Sequence, residues 1–142
     1  MREVAETHEQ LFHEHADLYG PNVGTKVKRC LAVEDAAYEA AVGCRERLRE
    51  DYTQLFERFD LLLTPTVSLD PPPDDVDELT VREQAISLTI PFNAVGAPAL
   101  SIPWAAAPYG ALQVVAAPQR DGLVLAAGEL LERERGATRG PL

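Results

Sequence analysis

Ile90-Pro91-Phe92-Asn93-Ala94-Val95-Gly96-Ala97-Pro98-Ala99-Leu100-Ser101-Ile102-Pro103 gathers three prolines, a glycine and an apolar run into one short stretch. Pro91 has no amide proton to donate and biases Ile90 away from the helical region, Gly96 tolerates a positive φ, and Pro98 prevents any helix from running onward. The order therefore predicts a helix end, a sharp turn and then a strand. From Ala99 to Ile102 almost every residue is apolar, and such a run, lacking polar alternation, suits a strand covered on both faces. Asn93 is the polar side chain of the turn, and its expected role is to bond the surrounding backbone and fix it.

Two further apolar runs read the same way. Leu61-Leu62-Leu63-Thr64-Pro65 is a short buried strand stopped by proline, and Ala111 to Ala117 is another, interrupted only by Gln113. Strands are expected near 61–65, 99–103 and 111–117. Between them and around them the apolar spacing turns helical. Ala37, Tyr38, Ala41, Val42, Leu48, Tyr52, Leu55 and Phe56 recur at three and four and predict a long helix near 35–58, its outer face alternating Arg and Glu. Shorter helices are expected over Arg2–His15, over Asn22–Leu31 with Asn22 as cap, and from Asp121 onward. Thr80-Val81-Arg82-Glu83 has the spacing of a capping box. Residues 68–79, with Pro71 to Pro73 and the acids Asp70, Asp74, Asp75, Asp77 and Glu78, form an acidic proline-rich loop, and residues 136–142 a frayed tail.

Composition limits the functions available. The 142 residues are enough for one domain with a core, and 46% hydrophobic with 25% charged residues is a globular balance. A net charge of −10 repels nucleic acid and anionic lipid, so neither is an expected partner. The first residues lack the apolar segment of a signal peptide, and no apolar run is long enough to span a bilayer, so the expected location is cytoplasmic. Cys30 and Cys44 lack metal or disulfide spacing and read as reduced, packed residues. His8, His13 and His15 are spaced by five and two rather than three or four, and the acidic loop lacks the alternating ligand order of a calcium loop. No metal site and no cofactor is expected. Acyl transfer by serine needs a hydroxyl with a base in reach and preorganised oxyanion donors. The serines are Ser68, Ser87 and Ser101, with no Ser-Ser, no Gly-Ser and no lysine nearby, so no catalytic residue is assigned.

Several of these segments resemble one family. Phe59-Asp60-Leu61-Leu62-Leu63-Thr64-Pro65-Thr66, then Pro91-Phe92-Asn93, then Gly96-x-Pro98-Ala99-x-Ser101-x-Pro103, then an apolar strand centred on Gln113, are similar to the C-terminal segment of the amidase signature family. That family comprises serine hydrolases of carboxamides and is related to the amidase component of glutamyl-tRNA amidotransferase. The resemblance is strongest from Phe59 to Leu131. The turn before Gln113 departs from the family pattern by about one residue, and Ala116 stands where a glycine often ends the strand. The resemblance implies an α/β fold, the C-terminal part of the amidase signature fold, with about three buried strands of a mixed sheet covered by helices. It implies residues 1–142 as one domain or domain fragment forming sheet and one wall of the substrate cleft. The family's nucleophilic Ser, cis Ser and Lys match no position here, so the chain is expected to be inactive alone. Thr64, Phe92, Asn93 and Gly96 are the candidate pocket or turn residues. Expected partners are a missing N-terminal amidase portion or a second copy meeting at strand edges, with a small-molecule amide bound only by the intact enzyme. The alternative is a free-standing α/β interaction or oligomerisation module without catalysis.

Overall fold

The computed structural model describes residues 1–104 and 110–138, and the chain divides into two compact units, Met1–Cys44 and Arg45–Leu142.

In the first unit, α1 (Arg2–His15) and α2 (Pro21–Leu31) pack on one another. Their buried residues are Ala5 and Phe12 on α1 and Val27 and Cys30 on α2, seven and three apart, so each helix turns one stripe inward. The Phe12 ring meets Tyr19 edge-on at 5.1 Å, and the Tyr19 hydroxyl bonds His8 Nδ1 at 3.0 Å. Sequence spacing assigns the start of α2 to an Asn22 cap. The helix instead begins at Pro21 after an N-cap at Gly20, because proline at the first helical position arrives with its φ set and gives up only an amide that would have no partner. Arg2 donates to the Val33 carbonyl at 3.2 Å and pairs with Asp35 at 2.9 Å, linking the first helix to the start of α3 (Asp35–Phe56).

The second unit is organised by a three-stranded sheet in the order β1-β3-β2, where β1 is Leu61–Pro65, β2 Ala99–Pro103 and β3 Ala111–Ala116. The three strands stand where the apolar runs put them. Both pairings are antiparallel: Leu63 faces Val114, and Leu100 faces the same residue from the other side. Complete burial belongs to β3 alone, in which Gln113 to Ala116 are all buried. The outer strands were expected to be covered on both faces, but each alternates. Leu100 and Ile102 turn inward on β2 while Ala99, Ser101 and Pro103 stay exposed, and on β1 Leu63 is 56% exposed. The reason is position: the central strand has a neighbour on each side, whereas the edge strands have one.

Helix α6 (Asp121–Thr138) covers one face of β2 and β3, burying Val124 and passing so close that a Cβ at Gly128 would collide with Leu100 Cδ2. The helix runs to Thr138, past the Gly136 at which fraying was expected, and residues 139–142 lie outside the described residues. Ile102, Val114 and Val115 are the largest fully buried side chains, each contributing about 1.5–3 kcal/mol by leaving water.

Two further boundaries differ from the sequence reading. Helix α4 (Glu78–Ile86) starts before Thr80 because Asp77 caps it, its carboxylate accepting from the Leu79 amide at 3.0 Å. Thr80 falls inside the first turn, where its hydroxyl donates to the Asp77 carbonyl at 2.7 Å, and no capping box forms. Pro91 does not end a helix but begins one: α5 (Ile90–Val95) carries it in the first turn. The sharp turn itself is where the glycine was read. Gly96 has φ 72° and ψ 30°, its amide bonds the Asn93 carbonyl at 3.3 Å, and the Ala97 amide reaches the Phe92 carbonyl at 3.0 Å, the two bonds of a Schellman stop.

Candidate functional site

Gln113 stands at the centre of the sheet, opposite Thr64 on β1 and Ser101 on β2. Because side chains alternate with a period of two, residues directly opposite share a face, so these three form a polar row across an otherwise apolar sheet. Gln113 is 3% exposed and is the only buried polar residue among the described residues. Its Nε2 donates to Thr64 Oγ1 at 3.0 Å and to the Leu88 carbonyl at 3.0 Å. A carbonyl can only accept, so the Leu88 partner fixes which end of the amide faces it.

All three serine hydroxyls are hydrogen-bonded. Ser101 Oγ meets Thr66 Oγ1 at 2.7 Å, Ser68 Oγ donates to the Gln84 carbonyl at 3.3 Å, and Ser87 Oγ donates to the same carbonyl at 2.8 Å. Gln84 Nε2 returns a bond to the Ser68 carbonyl at 3.3 Å, holding the start of the acidic loop on α4.

At one end of the sheet, Leu63, Thr64, Pro65, Trp104, Gly110, Ala111 and Leu112 line a groove of about 240 Å³. Among the described residues its walls carry no ionisable side chain. Such a surface can receive an apolar group, with the Thr64 residue as its polar element.

Of the residues singled out in the sequence, Thr64 lies both on this groove and against Gln113. Phe92, Asn93 and Gly96 line no part of the groove and instead build α5 and its stop. Phe92 is buried, and its ring meets the Tyr52 ring at right angles, with centroids 5.7 Å apart. Burial raises the Tyr52 phenol above its ordinary value. The Asn93 side chain was expected to bond the turn, yet it is exposed, and the backbone carbonyl of Asn93 makes the bond to Gly96. A glycine in the left-handed region lets the main chain close the turn without side-chain help. Nothing in the local spacing of Trp104 and Leu112 encodes a groove assembled from separate strands. Gln113 had a signal, the lone polar residue in an apolar strand. Among the described residues no three His, Cys, Asp or Glu side chains gather as a metal site would require.

Fold and site together define an α/β scaffold: a sheet backed by a helix, with the turn before α5 tied to its centre by a buried amide. The profile of the amidase family matches residues 2–125, and the chain belongs to that family. A solved amidase superposes with a TM-score of 0.83 at 34% identity, over 94% of this chain and 33% of that protein. The glutamyl-tRNA(Gln) amidotransferase A subunit of Pediococcus pentosaceus is 33% identical over 106 residues, 69% of this chain and 21% of the relative. Its counterpart in Lysinibacillus sphaericus is 38% identical over 74 residues, covering 49% of this chain and 15% of the relative. The chain thus spans a third or less of the length of these relatives.

Proposed function

We propose that these residues are the C-terminal portion of a carboxamide hydrolase, continuing its sheet and forming one side of its substrate cleft, and that they do not hydrolyse amides by themselves. In this reading Thr64 belongs to the cleft wall, while Phe92, Asn93 and Gly96 shape the α5 segment. The nucleophilic serine, the relaying serine, the lysine and the oxyanion donors come from residues outside these 142. The partner is therefore the remaining amidase portion, and the substrate is a small-molecule amide bound by the assembled protein. A cytoplasmic setting goes with this reading. The observation that carries it is the engagement of all three serine hydroxyls with backbone carbonyls or another hydroxyl. An activated serine instead needs a base within about 3 Å of its oxygen and donors aimed at the developing oxyanion.

The test is an amide-hydrolysis assay on the 142-residue chain, on a separately expressed N-terminal two-thirds of a matching amidase, and on their mixture. Turnover is expected only from the mixture. Turnover by this chain alone, abolished by changing one of its own residues, would overturn the proposal.

A further inference from the structure

We infer that Gln113 is a positioning residue, whose buried amide docks the connection between α4 and α5 onto the sheet and so sets the orientation of α5. The inference goes beyond the proposed function, and its structural content does not depend on it. The argument begins with cost: a primary amide in a strand flanked by Leu112 and Val114 loses its hydration on folding and is tolerated only if bonded. Gln113 uses the two protons of one nitrogen for two different elements. One goes to Thr64 on the neighbouring strand, a bond within the sheet. The other goes to the Leu88 carbonyl, outside any strand and two residues before α5.

Leu88 lies in the turn between two short helices, α4 and α5. The Ser87 and Thr89 hydroxyls bond backward along the chain, donating to the Gln84 and Ile86 carbonyls, and the Thr89 carbonyl accepts the Asn93 amide at 3.2 Å, within the start of α5. Those bonds define a local shape but not where that shape rests. The Gln113 contact reaches across 25 residues of sequence and reports directly on docking. Phe92 and Val95, buried on α5, supply apolar contact, which is non-directional and leaves the rotation of so short a helix weakly fixed. A hydrogen bond to one carbonyl supplies the missing direction.

Hydrogen exchange on the purified 142-residue chain tests this, because it reads docking segment by segment and needs no activity. Gln113→Met keeps the length and volume of the side chain and removes both donors. Amides of residues 89–97 are expected to lose protection at least about tenfold, the equivalent of about 1.4 kcal/mol, while β3 and α6 change by less than half as much on the same logarithmic scale. Gln113→Glu adds a second readout. Below the titration of its carboxyl, raised by burial, the acid has one proton to give the Leu88 carbonyl. Above it, two acceptors face each other and the bond is lost. Protection of 89–97, corrected for intrinsic exchange, should therefore fall as pH rises in this variant and not in the parent.

Equal loss across β3, α6 and α5 in the Met variant, or no loss at 89–97, overturns the inference and leaves Gln113 as a general core residue. Should Gln113→Met not fold, Gln113→Glu alone decides, and a flat pH response at 89–97 overturns it. Failure of the complementation assay with a positive exchange result would remove the catalytic reading and leave the positioning role intact.

Discussion

Gly96 and Gly128 are both glycines for physical reasons, and the reasons are opposite. Around Gly96 no heavy atom lies within 4 Å of a built Cβ, so space is not the constraint; φ of 72° is. Gly96→Val is expected to lower stability by roughly 1–3 kcal/mol through backbone strain alone, measured by chemical denaturation. Gly128 has no such φ, but its Cβ would collide with Leu100 Cδ2. Gly128→Ala should therefore force the Leu100 terminal methyl aside and fall short of the gain of about 0.5–1 kcal/mol that a helical Gly→Ala otherwise brings, and Leu100→Ala in the same chain should recover that shortfall, a coupling visible in a double-mutant cycle. Additive effects would refute the close-approach explanation. Gly96 was legible in the sequence because its neighbours Pro91 and Pro98 frame a turn. Gly128 was not, since its partner lies on β2 and no local pattern records it. At Tyr52 burial raises the phenol's pKa in the folded state, so this group's contribution to stability is complete below the unfolded value near pH 10 and declines as pH rises past it. Tyr52→Phe should accordingly flatten the fall of melting temperature above about pH 10.

Strong local chemistry makes an element legible in the sequence, and competition between neighbouring signals shifts its boundaries. The three strands carry continuous apolar runs bounded by proline or glycine, and their positions emerged within a residue. Helix α4 shows how a boundary moves. Thr80 and Glu83 have capping-box spacing, but Asp77 lies three residues earlier, and its carboxylate takes the first free amide. Asp77→Ala should cost about 1 kcal/mol, whereas Glu83→Ala should cost a few tenths, because Glu83 is exposed and is not part of a cap. The reverse order in thermal melts would reinstate the capping box. For α5 the difficulty was Pro91, which disfavours helix at the residue before it yet fits a first turn well. Six residues are too few for periodicity to arbitrate. The candidate site divides along the same line. Thr64 and the Gly96 turn were visible in local sequence, while the pairing of Thr64 with Gln113 depends on strand register, which becomes explicit only when the strands meet.

For the molecule as a whole, charge and exposed apolar surface oppose one another, and salt decides between them. The chain carries 23 acidic against 13 basic residues, so two copies repel at long range. Within the second unit Leu63, Phe59, Leu125 and Leu130 are all about half exposed or more, and among the described residues both outer strands leave one side of their backbone without a strand partner. Apolar contact and strand pairing act only at short range, after the repulsion has been overcome. Screening shortens the repulsion from about 30 Å at 0.01 M salt to about 3 Å at 1 M, while apolar attraction is not weakened by salt. The isolated chain should therefore sediment as a monomer near 0.01 M salt and associate as salt approaches about 0.5 M. Leu63→Lys puts a charge on the exposed face of an edge strand and should reduce association at high salt without lowering the melting temperature, because the residue is 56% exposed and contributes little to the core. Sedimentation velocity across the salt series makes the comparison. Association that weakens with salt would mean that ion pairs, not apolar edges, hold the copies together. If the complementary amidase portion caps the same edge, adding it at high salt should convert the self-associated species to a one-to-one complex, and the Leu63→Lys chain should form that complex less readily.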